Sequence, residues 1–125
     1  MSRRALGVSL ALTLAAAVGG CGGDARTAAA ITGGDPGRGR EALRRYGCTT
    51  CHSIPRVPGA VGTVGPPLDR MARRSYIAGR LENTPGNLIK WIQHPQHVDP
   101  PNAMPEMGVT EEDSRHIAAF LYTLD

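Results

Sequence analysis

Apolar residues recur at helical spacing in three stretches of this 125-residue chain, and proline and glycine take over between them. Asp35-Pro36 opens the first stretch. An N-cap residue followed by proline at the first helical position predicts a helix that runs to about Tyr46 and stops at Gly47. Thr84-Pro85 opens the second, whose NLIKWIQ run must end before Pro95. The third follows Thr110-Glu-Glu-Asp113, a capping-box pattern, and sets Ile117, Phe120, Leu121 and Leu124 at helical spacing to about Leu124. A short helical turn is predicted near Leu68–Arg74, while residues 53–67 and 95–109 read as extended, proline-rich loops. No segment reads as a strand. The pattern predicts an all-α domain of three to five helices with long Pro/Gly loops.

Upstream the pattern changes character. Arg3 and Arg4 precede an apolar run from Ala5 to Val18, which has signal-peptide length and is short for a membrane span. VGGC at 18–21 resembles the bacterial lipobox, in which the cysteine is lipid-modified and becomes the new N-terminus. Residues 1–20 are therefore expected to be a lipoprotein signal peptide, with Cys21 the lipidated residue. Residues 22–34, GGDARTAAAITGG, carry no periodic apolar face. They read with Cys21 as anchor and flexible linker, ahead of a domain at 35–125. The expected location is outside the cytoplasm, lipid-anchored to the cell membrane and facing the periplasm or the cell exterior.

Charge adds a direction. Nine arginines against Asp35, Glu41 and Asp69 leave residues 33–80 at +6, while residues 81–125 stand at −5. This asymmetry can orient the chain before a charged partner. It argues against a nucleic-acid binder, which keeps a net basic patch interleaved with aromatics.

The candidate core is small for so much irregular chain. Past the leader the aromatics are Tyr46, Tyr76, Trp91, Phe120 and Tyr122. Long loops need a central apolar body to pack on, and a bulky prosthetic group would supply one. CTTCH at 48–52 points to which group. A C-x-x-C pair followed at once by histidine is the attachment sequence of c-type haem. Two thiols at that spacing can add across the two vinyl groups, with His52 directed at the iron. A disulfide between Cys48 and Cys51 would close too small a loop to remove much unfolded-state entropy. A thioredoxin-like site needs a βαβ context, and zinc needs further ligands at finger-like spacing.

Candidates for a second axial ligand are Met71, His94, His97, Met104, Met107 and His116. Met71 reads as packing on a short helix, and His116 as facing away from the buried stripe of the last helix. His94 and His97 flank a helix end, where solvent exposure is the default. A methionine in a proline-rich loop suits the role better, because soft thioether sulfur favours Fe(II) and raises the reduction potential.

CTTCH, VGPPL at 64–68, NLIKWIQHP, PPNAMPEMG and the closing IAAFLYTL together resemble class I cytochrome c over residues 35–125. More closely, GTVGPPL, ARRSYIAGRLENTPGNLIKWI and MPEMGVTEED resemble the cytochrome c domain fused to subunit II of some haem–copper oxidases. The resemblance implies the small class I fold wrapped around one covalently bound haem c. It implies that Gly39 and Leu43 pack against Ile117 and Phe120, and that the Pro66 carbonyl accepts the Nδ1–H of His52. Arg73 or Arg74 falls where an arginine approaches a haem propionate, and Trp91 where an aromatic lies near the ligand sulfur. Met104, four residues before Gly108 and correctly spaced from Pro95 and Pro100, matches the axial methionine. Met107 is the runner-up, expected to line the cleft or face solvent.

The implied function is that of a membrane-tethered single-electron carrier and not an enzyme. A donor of the quinol–cytochrome c reductase type and a terminal oxidase as acceptor follow from the same resemblance. The alternatives are a haem-bearing accessory subunit of an oxidase, or a gas- or peroxide-reactive haem protein with a displaceable sixth ligand.

Overall fold

The computed structural model describes residues 25–125, so the expected leader, lipobox and Cys21 lie outside the described residues. Helices begin where side-chain oxygens meet the first orphan amides. Asp35 accepts from Arg38 N–H at 2.8 Å and Pro36 fills the first position, which starts α2 (Pro36–Arg45). Thr84 caps α4 (Pro85–Gln93) with the same proline device. Thr110 accepts from Asp113 N–H at 3.1 Å and opens α6 (Glu111–Leu121), whose first turn carries Glu111, Glu112 and Asp113 against the positive helix end.

α2 and α6 cross at close range. Gly39 lies against the backbone of His116 and Ile117, and Ala42 and Leu43 follow it into the core. α6 is covered almost all round, from Ser114 through Leu121 apart from Arg115. Leu43, Leu88, Ile92, Ile117, Phe120, Leu121 and Leu124 form one apolar cluster with Met71. Each large side chain buried this way stabilises by about 1.5–3 kcal/mol. Met71 sits on a 3₁₀ turn (Met71–Arg73), within the short helical segment expected there.

Four features depart from the sequence reading. Residues 25–32 are not a flexible tether but a helix, α1 (Ala25–Thr32), with Ala28 and Thr32 buried and Gly33 turning left-handed at φ 71° to end it. Alanine has the highest helix propensity yet carries too little apolar contrast to mark a face. Its small side chains also let α1 lie close on α6.

A two-stranded hairpin is present, β1 (Tyr76–Ile77) with β2 (Leu81–Glu82). Its turn has positive φ at Ala78 and Gly79 and an Arg80 N–H bond to Ile77 O, a type I′ geometry in which Ala-Gly replaces the usual Asn-Gly. Within 95–109, Pro95–Val98 forms a single turn, α5, after Pro95 fixes φ at the first position.

His116 is buried, with Nδ1 accepting the Asp35 N–H at 2.8 Å. The glycines at 34 and 39 bring the α2 entry down on top of it.

A three-way contact ties α2 to the start of α6. Asp113 accepts from the Tyr46 hydroxyl at 2.7 Å and pairs with Arg45 at 2.7 Å. The Tyr46 bond above all, then Arg45 and Thr110, hold the Asp113 carboxyl below its ordinary value of 3.8. With a lowered folded-state pKa, its contribution is present at neutral pH and lost as pH falls through the carboxylate range. Asp113→Asn should therefore flatten the acid limb of stability. Urea midpoints measured between about pH 6 and pH 3 should converge on wild type at the acid end. Parallel profiles for the two proteins would contradict this coupling.

Candidate functional site

Gly47, left-handed at φ 76°, ends the run from α2 and releases the chain into α3 (Cys48–Cys51). One helical turn puts positions i and i+3 on the same side. Cys48 and Cys51 therefore share a face, and both line a cavity of about 580 Å³. Burial pushes the Cys48 thiol up, only partly opposed by a backbone hydrogen bond.

His52 follows in extended conformation and lines the same cavity. Its Nδ1 lies 2.6 Å from Pro66 O. A carbonyl can only accept, so Nδ1 carries the proton, and in the neutral ring Nε2 keeps its lone pair. Nε2 takes no hydrogen bond among the described residues.

The loop bearing Pro66 is pressed onto this turn. Gly65 N–H donates to Cys51 O at 2.7 Å and Leu68 N–H to Ser53 O at 2.9 Å. A Cβ on Gly65 would run into the His52 ring, and one on Gly62 would meet the Thr50–Cys51 backbone. Glycine is needed at both places because the backbone itself is the wall.

Met104 reaches the cavity from the proline-rich segment before α6. Its main chain is held on both sides. Met104 N–H donates to Asn102 Oδ1 at 2.7 Å, and Gln96 Nε2 donates to the carbonyls of Asn102 and Met104, each at 2.8 Å. Met107 also lines the cavity, but it is 39% exposed and its methyl group lies toward Gly47. Trp91 is half-buried in the wall.

Of the two candidate arginines, Arg74 lines the cavity, while Arg73 is exposed and outside its wall. The Arg74 guanidinium is held by Asp69 Oδ1 at 3.2 Å and by the carbonyls of Pro67 and Asp69. Asn83 links Met71 O and Arg74 O at 2.8 Å each and accepts from the Tyr122 hydroxyl. Burial pushes that phenol up to about 12, so it stays a donor at physiological pH.

Among the described residues, His52 is the one histidine in the cavity wall. His94 pairs with Glu106 at 3.7 Å, His97 is exposed, and His116 is committed to Asp35. Sequence reasoning did not find Gln96, Asn102 or the Gly65 contact. Asn102, two residues before Met104, forms a local Asx turn and could have been found from that spacing. Gln96 could not, because its clamp depends on the turn at α5.

The donor set bears on what the cavity can hold. No cluster of three His, Cys, Asp or Glu side chains suited to a bare metal ion occurs among the described residues. Two thiols on one turn, one imidazole with its inner nitrogen open and one thioether, in an apolar cavity, fit a flat covalently attached group that brings its own equatorial ligands. A small helical domain built round such a cavity belongs to the class of covalent haem proteins that transfer electrons.

The chain is a member of the cytochrome c family: the Cytochrome c family profile matches residues 37–125. Members carry covalently bound haem c, and the six helices and short hairpin described here accord with the class I fold. The chain is also similar to the cytochrome c oxidase subunit 2 of Alkalihalophilus pseudofirmus, with 36% identity over 89 residues. That match takes in 70% of this chain and 25% of the relative, so the chain spans about a quarter of that protein's length. No solved structure matches.

Proposed function

We propose that this chain is a membrane-tethered monohaem carrier that passes single electrons to a terminal oxidase, drawing them from a donor of the quinol–cytochrome c reductase type. Cys48 and Cys51 would hold the haem through thioethers, and His52 and Met104 would ligate its iron. The observation that carries the reading is their convergence in one cavity. A haem held by these residues would supply reversible one-electron chemistry.

The residues around it keep the ligands still. Pro66 O fixes the His52 ring with Nε2 turned inward and raises its basicity. Gln96 and Asn102 hold the Met104 main chain, so the sulfur is presented by a braced segment. Leu43, Leu88, Ile92 and Leu121 exclude water from the cavity. Arg74, braced by Asp69, offers a fixed positive group to an anionic edge. Trp91 packs beside the site.

The likeness to an oxidase subunit supports the choice of acceptor, and it also favours a second reading in which the chain is a fixed haem-bearing subunit. Anchoring rests on the lipobox and on no helix of the structure. Among the described residues none is long and apolar enough to cross a membrane.

The test combines spectroscopy with purification. The denatured protein should retain one haem per chain with the c-type absorption signature, and Cys48→Ala with Cys51→Ala should release it. The reduced protein should bind carbon monoxide slowly and weakly. Rapid, tight binding would overturn the carrier reading in favour of a gas-reactive site. Stoichiometric co-purification with an oxidase, through detergent and high salt, would favour the fixed subunit.

A further inference from the structure

α1 has no part in the cavity, yet it is docked. At its end, Arg115 Nη1 donates to Thr32 O at 3.2 Å, beside the start of α6. Along its length Thr27, Ala28 and Ile31 share a small cleft with Tyr122, at the far end of α6, and with Ala72, Asn83 and Pro85. α1 therefore runs antiparallel to α6, and the chain enters it near the C-terminal end of α6.

Helical geometry says which side of α6 this is. At about 100° per residue, Arg115, Ala119 and Tyr122 fall on one side, and Ile117 and Leu121 lie roughly 150° round the helix. Ile117 and Leu121 line the large cavity. α1 and the cavity thus occupy opposite sides of the same helix.

Cys21 stands four residues before Ala25. Four residues, fully extended, reach at most about 14 Å. An unstructured stretch over all of residues 22–34 would reach roughly 45 Å.

We propose that α1 is a strut: it joins the anchor to the helical core by a short leash and turns the cavity side of the domain away from the bilayer. This rests on the lipid-anchor reading above. The partner surface on the α1 side is the lipid bilayer itself, with Ile31, 49% exposed on α1, on that side of α6. A redox partner must then meet the cavity from a side not covered by α1, such as the wall at exposed Val64. That places the meeting point above the lipid by about the diameter of a small domain, roughly 30 Å. The domain does not swing down to a low-lying site.

The experiment uses the full-length holoprotein in native membranes and in vesicles carrying a fluorescent headgroup lipid. Amides of Ala25–Thr32 should exchange at least about a hundredfold slower than in an unstructured chain. Ala28→Asp should speed that exchange by at least about tenfold while the haem spectrum stays unchanged. Quenching of the headgroup probe by energy transfer to the haem should fall when about twelve Gly/Ser residues are inserted between Gly23 and Asp24.

Exchange at unstructured rates in the wild-type protein, or quenching indifferent to the insertion, overturns the strut even where mass spectrometry finds lipid on Cys21. The anchor fails separately. Unmodified Cys21, together with a Cys21→Ser protein that stays in the membrane fraction, overturns the anchor reading and the strut's role with it, whatever the exchange at α1.

Discussion

Met104→Ala should abolish the near-infrared methionine–Fe(III) band, while Met107→Ala should keep it. The potential of the Met104 variant should drop by on the order of 100 mV or more, within the roughly 0.8 V that axial ligands command. The direction follows from chemistry: a soft thioether stabilises Fe(II), and losing it leaves water or a harder donor that favours Fe(III). The choice between the two sulfurs follows from how each is held.

Met104 is half-buried and braced through its own N–H and C=O by Asn102 and Gln96. On the Met104 side those bonds use main-chain atoms only, so the alanine variant keeps them and loses the thioether side chain beyond Cβ. Met107 lies beyond Pro105, is exposed, and is followed by Gly108 at φ 68°. A side chain so placed would lose rotamer freedom on ligation without a braced backbone to limit that loss. The band surviving in Met104→Ala and vanishing in Met107→Ala would assign the ligand to Met107.

What could be read from the chain divides along locality. Asp35-Pro36, Thr84-Pro85 and Thr110 act on amides two or three residues away, so the starts of α2, α4 and α6 were legible. CTTCH is contiguous, and one helical turn brings its thiols together without help from the rest of the fold. The hairpin was hidden because Ala78 occupies a left-handed position that Asn or Gly usually marks. α1 was hidden because its buried face is only alanine and threonine, while its one large apolar residue, Ile31, is exposed.

His116 was misjudged for a reason no helical wheel contains. Its burial is produced by the chain entering α2, which can descend onto it only because residues 34 and 39 have no side chains. Likewise the choice between Arg73 and Arg74 depends on Asp69 and two carbonyls gathering one guanidinium into the wall. Both positions are arginine, and only the folded turn separates them.

Gly39→Ala should be the most damaging single methyl addition in the domain, destabilising it by about 3 kcal/mol or more, the upper end of overpacking. A Cβ there would fall on the carbonyl oxygen of His116 and close to the next amide nitrogen. Neither atom can rotate aside, so the whole of α2 must lift from α6. That motion would also separate Leu43 from Ile117, which are both buried and both line the cavity. Loss of stability should therefore come with a loosened site, seen as faster exchange or loss of the Met104 ligand band.

Gly86→Ala is the control. It lies in the first turn of α4 with open space where its Cβ would go, so the same methyl group should be neutral or stabilise by about 0.5–1 kcal/mol through lower unfolded-state entropy. Urea midpoints at unchanged slope would measure both. A Gly39→Ala protein within about 0.5 kcal/mol of wild type would mean that α2 and α6 do not cross at this distance in solution.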